Sequence, residues 1–183
     1  MRFTLYYDGP LPARGKPSVK AEIRSALDPQ LRELWSHQPL VGHAELLQPP
    51  EKEGGLSALV EKHGHTFAAV VSERLGMRPE LDILLLRPAA PGDLVIDGDI
   101  DNRLKTLFDA LSAPAQPSQV HDTMRETSPE DPCHVLLEDD RLITRVNVET
   151  DRLLAPASPD HVRLTIRVRT RLTKMMWGNV DLG

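Results

Sequence analysis

The chain of 183 residues carries a formal net charge of −5, is 40% hydrophobic and only 4% aromatic. That length suits one ordinary core with loop insertions rather than two independent ones, and the apolar share excludes disorder throughout. A single cysteine, Cys133, excludes an intrachain disulfide framework; no stretch approaches the ~20 apolar residues of a membrane span, and the opening MRFTLYYDGP is too briefly apolar for a secretory signal, so the expected compartment is the cytoplasm.

In chain order, residues 2–7 turn Phe3, Leu5 and Tyr7 to one side and predict a strand, after which DGPLPARGKP predicts loop. Ser18 offers an N-cap to a helix ending at Leu27, and Asp28-Pro29 offers the cap and first residue of a second helix ending near Trp35. LLQPPEKEGG is a surface loop, and residues 57–63 suit a short helical piece. Dense Val, Leu and Ile runs predict strands over 66–72 and 80–87. Residues 142–149 and 162–170 alternate with period two, the second placing Val162, Leu164, Ile166 and Val168 on one face and arginines on the other.

Residues 112–137 show no sustained period and hold four prolines. Asp122, Glu126, Glu130 and Asp131 stand there against Arg125 alone, which is −3 of the total −5. An acidic, Pro-rich loop insertion is expected. These readings give an α/β chain of the α+β type. It is one domain over residues 1–183, with a small mixed β-sheet packed by two or three helices plus long loop insertions.

The net negative charge argues against a protein that coats nucleic acid indiscriminately. The charge is unevenly spread, however: residues 161–175 contain Arg163, Arg167, Arg169, Arg171 and Lys174 and no acidic residue. That arginine face suits phosphate-backbone contact, or simply the solvated side of an outer strand. His121, Cys133 and His134 lack zinc-site spacing. The Met175-Met176-Trp177 tail suits either a dimer seam or packing at home.

The chemistry concentrates in GDIDNRLKTLFDAL, residues 98–111. Leu104, Leu107, Phe108 and Leu111 fall at helical spacing, so this is a helix with one buried stripe. Its start is crowded by Asp97, Asp99 and Asp101. One aspartate there would be an ordinary cap, but capping uses a single side chain and clustered like charges cost energy unless a cation neutralises them. An EF-hand register fails, because Asn102 takes the place of the required glycine and Phe108 that of the bidentate glutamate. Oxygen ligands without Cys or paired His point to Mg²⁺ or Mn²⁺. Lys105 follows Asp101 by four residues and shares its helix face, either as a surface pair or to stabilise charge on a bound phosphate. Asp139 and Asp140 precede the strand expected at residue 142 and, taken alone, suit a solvated turn.

The pattern Asp99-x-Asp101-Asn102-x-x-Lys105, then Phe108-Asp109-Ala110-Leu111, then Asp139-Asp140 before a strand, resembles the RusA family of Holliday-junction resolvases. The resemblance implies a small RusA-like α/β endonuclease fold working as a homodimer on branched DNA, in recombination and repair. Carried over by position, it makes Asp99, Asp101 and Asp140 the metal-binding aspartates and Lys105 the catalytic lysine. Asn102 and Asp139 become orienting or outer-sphere groups. The chain departs from the family in its long 112–137 segment, its long 38–80 connection and its acidic total. A non-catalytic RusA-like binding module, or a nuclease for RNA or flap substrates, is the alternative reading. Asp109, pointing away from the apolar stripe, is expected to be a solvated helix residue.

Overall fold

The computed structural model describes every residue except Glu51, Glu53, residues 90–98, Thr123, Trp177 and Gly183, and of Asp99 it describes the backbone alone. The chain adopts the expected α+β class, with its strands divided between two small mixed sheets. The elements run β1 (Arg2–Pro10), α1 (Pro17–Leu34), β2 (Leu59–Lys62), β3 (His65–Val71), β4 (Met77–Arg87), α2 (Asp99–Leu111), β5 (Cys133–Leu137), β6 (Arg145–Arg152) and β7 (His161–Leu172).

The four-stranded sheet has the order β1-β7-β4-β6, with β7 antiparallel to both β1 and β4, and β4 parallel to β6. Period-two alternation in β7 buries Val162, Leu164, Ile166 and Val168 and leaves the residues between them exposed. The same inner face collects Leu5 and Tyr7 of β1 and Leu81, Ile83 and Leu85 of β4. The second sheet has the order β2-β3-β5, with β3 parallel to β5. Leu27 and Leu31 of α1 and Leu107 and Leu111 of α2 close the core. The stripe expected on α2 is present, with Leu104 and Phe108 half-buried at its margins.

Four local expectations change. First, the two helices expected before Trp35 are one. Pro17, rather than a Ser18 cap, opens α1, and Pro29 lies inside it. Proline there removes the N–H that would bond the carbonyl of Ser25. The helix continues because Leu27 and Leu31 on either side are buried, and because Gln30 grips the edge of β1 through both Tyr6 N–H (2.9 Å) and Tyr6 C=O (2.8 Å).

Second, the helical piece expected over 57–63 is β2, paired with β3 across His63 and Gly64 at φ 54° and 80°. Two consecutive positive φ values define the tight hairpin turn whose twist matches its strands. Third, the loop expected over 112–137 ends in a strand: all five residues of β5 are buried, and Ser112 bridges to Leu137. Fourth, the strand expected to begin at residue 142 begins at Arg145, and Leu142 closes a short 3₁₀ turn.

Gly76, at φ 63°, leads into β4, and a Cβ there would lie 2.9 Å from the Lys174 carbonyl oxygen. Gly76→Ala combines left-handed strain with that clash. It is expected to lower stability by roughly 1–3 kcal/mol, read from the urea midpoint.

Candidate active site

Asp101, Lys105 and Asp109 recur every four residues of α2 and therefore run along one side of the helix, about 6 Å apart per step. Asp101 and Lys105 are exposed; Asn102 is half-buried. Asp99 opens the helix, and the expectation placed on its side chain lies outside the described residues, as does Asp97. The first half of α2 is tied down by Arg103. Its guanidinium donates to the Leu11 carbonyl and pairs with Asp160 at 3.1 Å, where the end of β1 meets the start of β7. Gly15 presses close to the next turn, with its N–H 3.1 Å from Thr106 Oγ1, so the loop after β1 lies against α2.

Asp139 and Asp140 follow directly from β5. Asp139 caps the 3₁₀ turn Asp140–Leu142 by accepting from Arg141 N–H at 3.0 Å, so its carboxylate fixes the direction from which Asp140 projects. Asp140 itself is exposed, yet its carboxyl is pushed above the usual range, first by partial burial, then by the charges of Asp139 and Asp109. Arg141 N–H and the Lys105 ammonium oppose that shift. The turn therefore lies within electrostatic reach of the Lys105 side of α2. Between them is a cavity of about 30 Å³ lined by Asp109, Ser112, Ala113, Gln119, Asp139 and Asp140, room for a water or two.

The expectation for Asp109 changes. It pairs with Lys20 of α1 at 2.6 Å, with about 15–17% of each side chain exposed, so it joins the two helices rather than facing solvent. Among the described residues it is also the α2 carboxylate whose charge reaches Asp140. The four-residue recurrence from Asp101 through Lys105 contained the signal for it. Among the described residues no three His, Cys, Asp or Glu side chains converge closely enough to hold a metal. The donor chemistry of the candidate residues still suits a hard divalent cation: the side chains offer oxygens, and a cation would offset the burial and the neighbouring charges that raise Asp140.

Arg24 is a further residue with a structural part in the site. Only 2% exposed, it donates to the Asp109 carbonyl (3.0 Å) and the Ser112 carbonyl (2.9 Å), which lie at the C-terminal end of α2 without helical partners. Its place on the buried stripe of α1, between Ala21 and Leu27, is the sequence signal.

Cys133 and His134 belong to this packing. Cys133 is buried and its thiol is pushed up to about 11 by burial. His134 meets Asp28 of α1 through both its ring (3.0 Å) and its backbone N–H (2.8 Å). Burial pushes the Asp28 carboxyl upward, but the bonds from His134 and the charge of Arg125 outweigh it and hold the group below its ordinary 3.8. A carboxyl depressed on folding stabilises the native state above its unfolded pKa and loses that contribution as pH falls through its folded pKa. Asp28→Asn is accordingly expected to flatten the decline of the urea midpoint below about pH 4.

Among the described residues no helix is long and apolar enough to cross a membrane, and the one cysteine precludes an intrachain disulfide. No protein-family model matches the chain, and no curated protein or solved structure shows significant similarity to it.

Proposed function

We propose that the chain is a divalent-metal-dependent endonuclease of branched DNA, working as a homodimer in the cytoplasm, with Asp99, Asp101 and Asp140 holding Mg²⁺ or Mn²⁺. The observation that supports this most is the approach of the Asp140 turn to the Asp101–Lys105–Asp109 side of α2 across the small cavity lined by Asp109, Ser112, Asp139 and Asp140, since it brings near each other the two halves of a motif separated by the long 112–137 segment. When bound, the cation supplies charge screening for the scissile phosphate and lowers the pKa of an attacking water. Lys105, an exposed cation one turn from Asp101, holds a phosphate oxygen and stabilises the charge that develops on it. Asp139 orients Asp140 through its cap, and Asn102, half-buried in the first turn of α2, serves as an outer-sphere group.

A binding module without catalysis is favoured by one observation. Among the described residues, the α2 carboxylate whose charge reaches Asp140 is Asp109, which is already committed to Lys20. Purified protein incubated with labelled four-way junction, flap, duplex, single-stranded DNA and RNA, with Mg²⁺ or with chelator, separates the readings. Metal-dependent cutting of the junction is the expected result. Cutting only of flap or RNA redirects the substrate class, and no cutting of anything leaves the binding module.

A further inference from the structure

The side of the four-stranded sheet turned away from the helices is uncovered, with Tyr6 50% and Leu84 37% exposed. Along β7 its outward residues are Arg163, Thr165, Arg167, Arg169 and Arg171, spaced by about 7 Å per pair of residues. The register sets Arg2 directly opposite Arg169, Thr4 opposite Arg167 and Tyr6 opposite Thr165, so the aromatic ring stands beside the one gap in the arginine row.

The arginines divide into two kinds. Arg163 is held by Asp8 at 3.0 Å. Arg171 and Arg145 are held by Glu80, at 2.7 and 3.4 Å. Glu80 is only 8% exposed, so it anchors the guanidinium groups from beneath. Arg2, Arg167 and Arg169, by contrast, make no close salt bridge among the described residues, although the register with β4 sets Glu80 opposite Arg169 and Asp82 opposite Arg167. Like charges directly opposite one another across two strands destabilise a sheet, and Arg2 and Arg169 are such a pair. Glu80, opposite Arg169 on its other side, offsets part of that cost, and an anion bound over Arg2 and Arg169 lowers it further.

Tyr6 is held as a platform: its hydroxyl donates to Asp8 Oδ2 at 3.1 Å, and Asp8 is in turn gripped by His161 and Arg163. Beside it, Thr4, Asp82, Leu84, Asn147, Glu149, Thr165 and Arg167 line a groove of about 470 Å³, its two carboxylates on the side away from β1 and its polar side chains able to bond a base. A chain of phosphates alone would need only the arginines. An exposed, oriented ring in line with them adds a partner for an unstacked base.

We infer that this sheet face binds an unpaired nucleic-acid strand running along β7, its phosphates on Arg2, Arg167 and Arg169 and a base stacked on Tyr6. The inference rests on the nucleic-acid reading of the preceding section and deepens it, assigning the single-stranded part of a branched substrate to a surface separate from the Asp140 turn.

The test is binding of a short fluorescent oligothymidylate to the full chain without metal, titrated with salt. The log–log slope should be about −2, from roughly 0.7 per neutralised phosphate on a single strand. Arg167→Ala with Arg169→Ala should reduce it by about 1.4. Tyr6→Ala should weaken binding tenfold or more and Tyr6→Phe should restore it, the same oligonucleotide made duplex being bound more weakly. All three positions are exposed, and circular dichroism confirms the fold of each variant. Unchanged affinity and slope in the variants overturn the inference even if the junction is cleaved. A loss in the variants while no substrate is cleaved sustains it and removes the nuclease reading. Variants that dissociate a dimer in sedimentation without changing oligonucleotide affinity overturn it in favour of a second copy on this face.

Discussion

Asp101→Asn is expected to leave the protein folded and to lower Mg²⁺-dependent cleavage of a four-way junction by a hundredfold or more. The side chain is exposed in the first turn of α2, so the substitution opens no cavity and strands no buried partner. Losing a negative charge at a helix start costs only about 0.3–1 kcal/mol. The amide keeps the shape of the carboxylate and loses the charge that attracts a hard cation, so binding and chemistry suffer together while the fold does not. Asp140→Asn should behave alike, with no destabilisation, since its carboxylate is already disfavoured by partial burial and then by the charges of Asp139 and Asp109. Rates of junction cutting under saturating metal, set beside urea midpoints, make the comparison. Normal cutting by either variant removes these aspartates from the site.

Arg24→Met is expected to cost about 2–4 kcal/mol of unfolding free energy in urea. Methionine fills much of the same volume among Leu27, Leu31 and the end of α2, so the loss measured is chiefly that of the bonds to the Asp109 and Ser112 carbonyls. Those carbonyls end α2 and lie in part inside the protein, where water does not replace the lost donor. Arg24→Lys should recover a fraction only, because one ammonium cannot reproduce the two-pronged contact of the guanidinium. An Arg24→Met protein as stable as the parent would show that α2 ends without help from α1. The same variant should also loosen Asp109 and with it the wall opposite Asp140.

What the sequence announces and what it conceals divide by the range of the interactions. The strand β7 and the helix α2 are plain in the amino-acid order because their inner faces repeat with the right period. β5 is hidden because all five of its residues are buried, so nothing alternates, and it stands inside a segment coloured by prolines and acids. Asp28-Pro29 imitates a helix start, and only the distant His134, which engages the Asp28 carboxylate, shows that this residue is not a cap. β2 could be inferred from His63-Gly64, a two-residue turn of the hairpin kind, once the apolar run after it is taken as its partner. In the candidate site, the motif spacing points to the α2 side and the Asp140 turn, whereas the Lys20–Asp109 pair and the Arg24 contacts join residues more than eighty positions apart. No local pattern contains them.

The first strand finds its neighbour only in the last: Arg2 lies opposite Arg169 and Pro10 opposite His161. During synthesis, the sheet must therefore wait until β7 has left the ribosome, with the apolar side of β1 and the row from Leu81 to Leu85 unprotected meanwhile. Pairing so remote in sequence slows assembly and lengthens exposure to aggregation, so nascent chains halted before residue 161 should be held by chaperones and released in native form only once β7 has emerged.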